Sequence, residues 1–505
     1  MSRNIYLSST DIDEALELFL EKADIKAKKE KIKVIDSYGR VSAEPVFAKY
    51  SSPNFNAAAM DGIVIRAKDS YGASEVNPVI LKKDIHYKYI DTGDPIEDPY
   101  DAVIMIEDVA EIDGNSLRII APAHPWQHIR PIGEDIVAHE MIIPSNHSIR
   151  PVDIGALLSG GITDIYVYKK LKVGIIPTGT EIVEPGTELQ KGYVIESNSR
   201  MLENLVIEYG GQARRYEPLP DDYDLLKESI SKAIDCNDII VINAGSSAGS
   251  EDYTKALVED LGELLVHGIA AKPGKPVVLG NIKGKPVIGV PGYPVSAYIA
   301  FELFAKPLIS ESLARASRAV SYTKAILSRR LISSIKNREY VRIKLGKVGE
   351  NLIATPLSRG AGVTMSLVRA DGILEIPQNS EGFESGKEVK VKLLKDLKDI
   401  ENTIVSIGSH DLIMDIMANI MHKKNSRYNL SSAHVGSMGG IMALRRGEAH
   451  MAPIHLLDER SGKYNLEYIK RYLDYENITL IKGVKRIQGI MVKEGNPKNI
   501  KGIDG

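Results

Sequence analysis

Asn243-Ala-Gly-Ser-Ser-Ala-Gly-Ser-Glu-Asp-Tyr-Thr254 follows the apolar run Asp238-Ile-Ile-Val-Ile242 and leads into a stretch of helical periodicity near 252–261. Strand, small-residue loop and helix in that order read as one crossover of a parallel sheet. Small residues let backbone N–H groups crowd around an anion, and the start of the helix adds favourable potential. Asn243, Gly245, Ser246, Ser247 and Gly249 are therefore candidate anion-binding positions. Many α/β crossovers carry glycine, so the loop takes its meaning from its surroundings.

Working outward, Val173-Gly-Ile-Ile176 reads as a strand, 197–209 as a helix, 212–217 as a further element and 222–234 as a helix. Short buried strands alternating with helices predict a doubly wound α/β domain over 171–316. Ligands of such sheets bind beyond the carboxyl ends of the strands. Pro177-Thr-Gly-Thr-Glu181, 243–252 and 290–294 all fall there.

Upstream, residues 11–23 form an amphipathic helix with Ile12, Ala15, Leu16, Phe19 and Leu20 on one face and Thr10 as N-cap. Residues 46–147 are rich in Pro, Gly and Asp with short apolar runs, the pattern of an inserted β domain. Residues 1–45 and 148–170 flank it as a linker domain. Downstream, Tyr340-Val-Arg-Ile-Lys-Leu345 and Val389-Lys-Val-Lys-Leu393 alternate with period two, so 317–396 is a small β domain. Residues 397–505 begin with the strand Thr403–Ile407, then a helix whose apolar face is Ile413, Ile416, Met417 and Ile420.

The 505 residues are 43% apolar and 26% charged, as in ordinary globular chains, with a formal net charge of −3. No global basic field points to nucleic acid or an anionic membrane. No apolar run approaches the roughly 20 residues of a membrane span, and the N-terminus lacks an apolar leader, so a cytoplasmic protein is expected. The single cysteine, Cys236, excludes an intramolecular disulfide framework and is expected to be a buried structural thiol.

Asp61, Asp135, the pair Asp221-Asp222, and Asp252 each sit in a loop dense in Gly or Pro. Aspartate favours turns for its own local hydrogen bonding, yet such carboxylates also suit a hard cation such as Mg²⁺. Lys272-Pro-Gly-Lys-Pro276 puts two ammonium groups, Lys272 and Lys275, on one turn. Ala59-Met-Asp-Gly62, Ile132-Gly-Glu-Asp-Ile136, the 243–254 loop and Val290-Pro-Gly-Tyr-Pro-Val-Ser296, in that order, resemble the molybdopterin molybdenumtransferases, the MoeA and gephyrin E-domain family of molybdenum insertases. The resemblance covers roughly residues 5–395.

The resemblance implies a β-barrel for 317–396 and a reaction in which molybdate or tungstate is inserted into adenylylated molybdopterin with release of AMP. It makes Asp61, Asp135, Asp252, Lys272 and Lys275 the catalytic set, with Mg²⁺ on Asp252 and, with less support, Asp222. Substrate contacts would come from Thr178, Gly179, Glu181, the 243–249 loop, Pro291, Pro294 and Ser296. Ser366 and Arg369, in the C-terminal signature Ser358–Gly372, would reach the oxyanion across the interface of a homodimer. Three positions depart from the family pattern: Thr180 replaces an aspartate, Tyr293 an asparagine, and Ala244-Gly-Ser-Ser247 a Gly-Gly-Val-Ser run. Two other readings stand beside this one, the sister adenylylation of molybdopterin and a non-catalytic oxyanion sensor or scaffold.

The tail carries Gly408-Ser-His-Asp411 and Ser431–Gly440 at strand-to-helix junctions. They resemble the oxyanion pocket of periplasmic-binding-protein-like modules. Ending soon after one lobe, the tail reads as an incomplete module. His410, His434, His450 and His455 lack the spacing of zinc ligands and read as satisfied polar histidines.

Overall fold

The computed structural model describes residues 9–502 except 24, 244–252, 315–320 and 485–489. Helix α1 (Ile12–Ala23) buries Ile12, Ala15, Phe19 and Ala23, which recur every three or four residues. Its cap is Asp11 and not Thr10: Asp11 Oδ1 accepts the Asp13 amide at 2.8 Å. Thr10 instead exchanges backbone bonds with Gly268 and Ala270, pinning the start of the chain to the central domain.

Strand β1 (Lys29–Lys33) leads into the inserted region, which forms two three-stranded sheets. Gly62–Ile65 is central in one and Ser116–Ile119 in the other. Ile63, Ile65, Leu81, Ile104, Leu117 and Ile119 make their shared core.

The chain returns through α2 (Pro151–Ser159) and β2 (Asp164–Tyr168), which pairs antiparallel with β1. Buried Asp153 in the first turn of α2 accepts from His147 Nε2 at 2.7 Å and from the Arg150 amide at 2.8 Å and guanidinium at 2.8 Å. The Arg150 guanidinium, with the His147 and backbone bonds, outweighs burial and holds this carboxyl well below the usual range. A depressed folded-state value stabilises above the unfolded titration near pH 4 and loses that effect as pH falls further. Asp153→Asn should therefore cost roughly 1–3 kcal/mol at pH 7, the scale of charged hydrogen bonds. Thermal unfolding should show the gap to the parent narrowing below about pH 4; a gap that is constant with pH would refute the linkage.

The central domain runs β3 (Lys172–Pro177), α3 (Asn198–Glu208), β4 (Gln212–Arg215), α4 (Tyr223–Cys236), β5 (Ile239–Asn243), α5 (Thr254–Leu261), β6 (Glu263–His267), β7 (Ala271–Lys272), β8 (Val278–Ile282), β9 (Lys285–Val290) and α6 (Pro294–Ser312). Its sheet has the order β4-β3-β5-β9-β8-β6, parallel across the first four strands. Continuous apolar runs such as Val173–Pro177 and Ile239–Asn243 are buried along their whole length because helices cover both faces. Nearly apolar all round, α6 is buried and stacks Phe304 edge-on to Phe19 of α1. Cys236 closes α4 on its solvent side and is exposed, so the buried-thiol expectation fails; Ala233 and Ile234 fill the core positions instead.

Strands β10 (Tyr322–Leu327), β11 (Arg338–Val348), β12 (Asn351–Pro356), β13 (Gly372–Ile376) and β14 (Glu388–Leu393), with α7 (Thr364–Arg369) before β13, close a five-stranded barrel in the order β11-β12-β10-β14-β13. Strand β7 adds to its β11 edge in parallel register, Lys272 opposite Glu339. Helix α8 (Leu397–Glu401) still belongs here, since Ile400 is buried in the barrel core.

In the tail, β15 (Thr403–Gly408) pairs in parallel with β16 (Asn429–His434), with α9 (Ile413–Lys424) and α10 (Ser437–Arg445) packed on them. Val405 of β15 packs so closely on Gly346 of β11 that no side chain fits there. The predicted buried face of α9 is mostly open. Ile416 and Ile420 are 56% and 50% exposed, and only Met414 is buried, because the narrow sheet covers only part of the helix.

Candidate active site

Strands β3, β5 and β9 end on the same side of the central sheet, and Asn243 ties their loops together. It is buried at the end of β5. Its carbonyl accepts the Thr178 amide at 3.0 Å, and its Nδ2 donates to the Pro291 carbonyl at 3.1 Å. The main chain of Asn243 thus holds one neighbouring loop and its side chain the other. Asn198 Nδ2 donates to the Gly292 carbonyl at 2.6 Å and brings the start of α3 to the same place.

Thr178 is buried, whereas Glu181 is exposed. Gly179 has φ +143°, and a Cβ there would press on Ile182 and Glu181, so the turn requires glycine. Thr180 fits its position: its amide donates to Asp221 Oδ2 at 3.3 Å and its hydroxyl accepts the Asp221 amide at 3.2 Å. Asp222 Oδ1 accepts the Leu225 amide at 2.9 Å and caps α4. Glu184 pairs with both Arg200 and Arg215, clamping the segment after Glu181 to α3 and β4. The sequence reading did not single out this clamp.

Pro294 opens α6 and Tyr293 holds the N-cap position without a side-chain cap bond. Ser296 lies in its first turn at 4% exposure. The Val295 amide donates to the Ala361 carbonyl at 3.0 Å, and Gly362 lies against the Tyr293 ring. The segment Ser358–Gly362 thus meets the Pro291–Val295 loop within one chain and is not borrowed from a partner for this contact. The cause is topological, since the barrel follows α6 directly and folds back on its start.

Arg342 holds that segment in place. At 1% exposure it donates from Nη2 to the Ser358 and Gly360 carbonyls at 2.7 and 3.1 Å, from Nη1 to Tyr340 at 3.1 Å and from Nε to Ser366 Oγ at 3.0 Å. Burial, with neighbouring Arg359 adding to it and Glu339 opposing, pushes its guanidinium down to about 10. Ser366 is itself buried, its hydroxyl accepting from Arg342 and donating to the Val363 carbonyl at 2.7 Å. Within the chain Ser366 braces this segment, its hydroxyl engaged on both sides. Arg369 sits 3.7 Å from Asp415 of α9, facing the tail and not the central loops.

Lys272 and Lys275 are both exposed on a turn that Gly274 enables at φ +112°. Lys272 Nζ lies 3.8 Å from Glu339 Oε2. Glu339, 2% exposed, also takes the Ser333 hydroxyl at 2.9 Å and Arg359 at 3.3 Å. Lys275 lines a cavity of about 520 Å³ with Lys336, Asn337, Gln378 and Asn379 of the barrel. Asp61 and Asp135 are exposed in the inserted domain. The Thr92 hydroxyl and amide, both at 2.7 Å, hold the Asp61 carboxyl below its ordinary value. The Asp135 amide donates to the Ser52 carbonyl at 3.0 Å. No described hydrogen bond or ion pair joins either aspartate to the central loops. Gly245, Ser246, Ser247, Gly249 and Asp252 lie outside the described residues.

The two junctions of the tail do converge: Ser409 Oγ and Ser437 Oγ are 2.8 Å apart, and the rings of His410 and His434 stand 4.2 Å apart. Burial, His410 and Arg369 keep His434 below the ordinary histidine value against the pull of Asp415. His455 and His450 bond within the chain, to Ser437 and to the Val405 amide. Among the described residues no three His, Cys, Asp or Glu side chains gather as a metal cage.

Residues 10–161 match the MoeA N-terminal region (domain I and II), 174–311 a probable molybdopterin binding domain and 324–394 the MoeA C-terminal region (domain IV). A putative molybdopterin biosynthesis protein of Methanocaldococcus jannaschii is 36% identical over 390 residues, 74% of this chain and 94% of the relative. This chain belongs to the MoeA family. The molybdopterin molybdenumtransferase of Haemophilus influenzae is 26% identical over 394 residues, 75% of this chain and 98% of that protein. Two crystal structures of the molybdopterin biosynthesis MoeA protein of Pyrococcus horikoshii superpose with TM-scores of 0.65 and 0.56 at 33% and 32% identity, covering 77% and 76% of this chain and 100% of each structure. Residues 418–505 match a PBP superfamily domain, which this MoeA chain carries behind its barrel.

Proposed function

We propose that this chain is a molybdopterin molybdenumtransferase of molybdenum cofactor biosynthesis, inserting molybdate or tungstate into adenylylated molybdopterin and releasing AMP. The observation that carries the reading is the junction at Asn243, which gathers the family's loops at the carboxyl ends of β3, β5 and β9. The protein's contribution is positioning and charge neutralisation, with Lys272 and Lys275 facing anionic groups and no nucleophile of its own. Mg²⁺, which keeps water and phosphate oxygens and needs only one or two carboxylates, would be held by Asp252 with Asp222, whose Oδ2 lies outside its capping bond. When bound it would neutralise charge on the phosphoanhydride.

AMP release on incubation with adenylylated molybdopterin, molybdate and Mg²⁺ tests the assignment; molybdate binding without AMP release would support a sensor, which the comparisons do not favour. A cytoplasmic location accords with the reading, and no described helix is long and apolar enough to cross a membrane.

The working form is proposed to be a homodimer. In this reading a partner's inserted domain brings Asp61 and Asp135 to the central loops, to which no described hydrogen bond or ion pair joins them within one chain. Mixing Asp61→Ala chains with Asp252→Ala chains should then restore up to about a quarter of the activity, because half the sites of a random heterodimer are intact. Absence of recovery in proven heterodimers would place the site within one chain.

The tail is proposed to handle oxyanion and to be dispensable for insertion. Because Ile400 belongs to the barrel core, the informative truncation removes 403–505 and keeps α8. AMP release should stay within a few-fold of the full chain; its loss in a folded truncation would make the lobe part of the catalytic unit.

A further inference from the structure

Two asparagines from different elements anchor successive carbonyls of the Pro291–Pro294 loop. Asn243, at the end of β5, donates to the Pro291 carbonyl, and Asn198, the first residue of α3, donates from Nδ2 to the Gly292 carbonyl at 2.6 Å. The Tyr293 carbonyl is taken by the Ala297 amide inside α6. The Gly292 C=O and the Tyr293 N–H belong to one planar peptide unit, so the Asn198 bond also sets the direction of that N–H at the start of α6. A carbonyl needs a donor, and only the NH₂ end of a carboxamide supplies one.

The donor is itself held from the other substrate loop. Beyond Gly179, Ile182–Val183 pairs in parallel with Val194–Ile195, and the Glu196 amide donates to the Val183 carbonyl at 2.8 Å. The buried Glu196 accepts the Ser199 amide on Oε1 at 2.7 Å and so fixes the first turn of α3. Arg200 places its Nε 3.7 Å from Glu196 Oε2 and pairs through Nη2 with Glu184. Asn198 lies between these anchors, with Glu196 and Ser199 buried on either side of it. It is the link by which the placement of the 178–184 segment reaches Gly292. Asn243 already joins the same two loops, through the Thr178 amide and the Pro291 carbonyl. What Asn198 adds is the orientation of the next peptide unit, which the Pro291 bond leaves free to turn.

We propose that Asn198 is a positioning residue of the reaction, holding the Gly292–Tyr293 peptide in the orientation in which the Pro291–Pro294 loop meets substrate. The proposal rests on the transferase reading of this chain. Two variants of the full chain test it. Asn198→Asp keeps the size and suits the positive end of a helix, yet offers the carbonyl no donor at neutral pH. Asn198→Ala removes the donor without adding charge. Both should lower kcat for AMP release by about ten- to a hundredfold, the scale of a misplaced reacting group, with KM within about threefold. Hydrogen exchange should quicken at the Val295 amide, which bonds to Ala361 in the same loop region, while Leu202 and Val206 inside α3 keep their protection. A role confined to starting the helix predicts the reverse, with Asn198→Asp neutral in turnover. Parent turnover in either variant, native exchange at Val295 in both, or loss of protection along α3 would overturn the proposal. A parent chain that releases no AMP would sink the transferase reading instead, and exchange at Val295 would then decide whether Asn198 holds the loop.

Discussion

Asp252→Ala should lower metal-dependent AMP release by about two to three orders of magnitude, the scale of removing one preorganised electrostatic group from a reaction centre. The position lies between two fixed points: Asn243, buried at the end of β5, and Thr254, buried at the start of α5. Gly289 of β9 approaches Thr254 so closely that a Cβ would come within 2.7 Å of its methyl group. The loop ends are therefore set by the core. Thermal unfolding should be unaltered while turnover collapses. Turnover within a few-fold of the parent at saturating Mg²⁺ would refute the role.

Arg342→Met should be the most damaging single change in the barrel. A methionine fills much of the space but supplies none of the four hydrogen bonds, leaving the Ser358, Gly360 and Tyr340 carbonyls and the Ser366 hydroxyl without their donor. It also removes a positive neighbour of Glu339. Breaking a buried charged network from one side costs about 3–5 kcal/mol. Hydrogen exchange should accelerate first at Leu357, whose amide bonds to the Arg342 carbonyl, and at Val295, which bonds to Ala361. AMP release should fall with it, because the barrel segment no longer seats on Tyr293. Native protection at both amides would show that the guanidinium is ornamental.

The central sheet was legible because continuous apolar strands between amphipathic helices have one favourable arrangement, and the loops at their carboxyl ends followed. Arg342 was not legible. It alternates with Val341 and Ile343, so period-two reading sends it to solvent, whereas the 358–366 segment and α7 cover that face. The bond of Arg342 to Ser366 was not legible either, the two being 24 residues apart. The proximity of Arg369 to Asp415 of α9 was likewise not readable from the sequence. Aspartates in turns stayed ambiguous in sequence. Asp222 proved to be a cap, because a helix begins one residue later.

Strand β11 concentrates several duties in one register. Glu339 faces Lys272 across β7, Arg342 fastens the loop over Tyr293, the Ile343–Val348 half pairs with β12, and Gly346 receives the tail's Val405. A strand has period two, so adding or removing one residue anywhere within Arg338–Val348 turns everything beyond it to the opposite face. Such an indel at the start of the strand would disconnect the lysine turn, the barrel loop and the tail lobe together, and one further along would disconnect those contacts that follow it. The exposed turn at Gly349-Glu350, by contrast, lies past all of these contacts and can change length freely. Length variation among relatives of this chain should therefore accumulate at that turn and be purged from the strand.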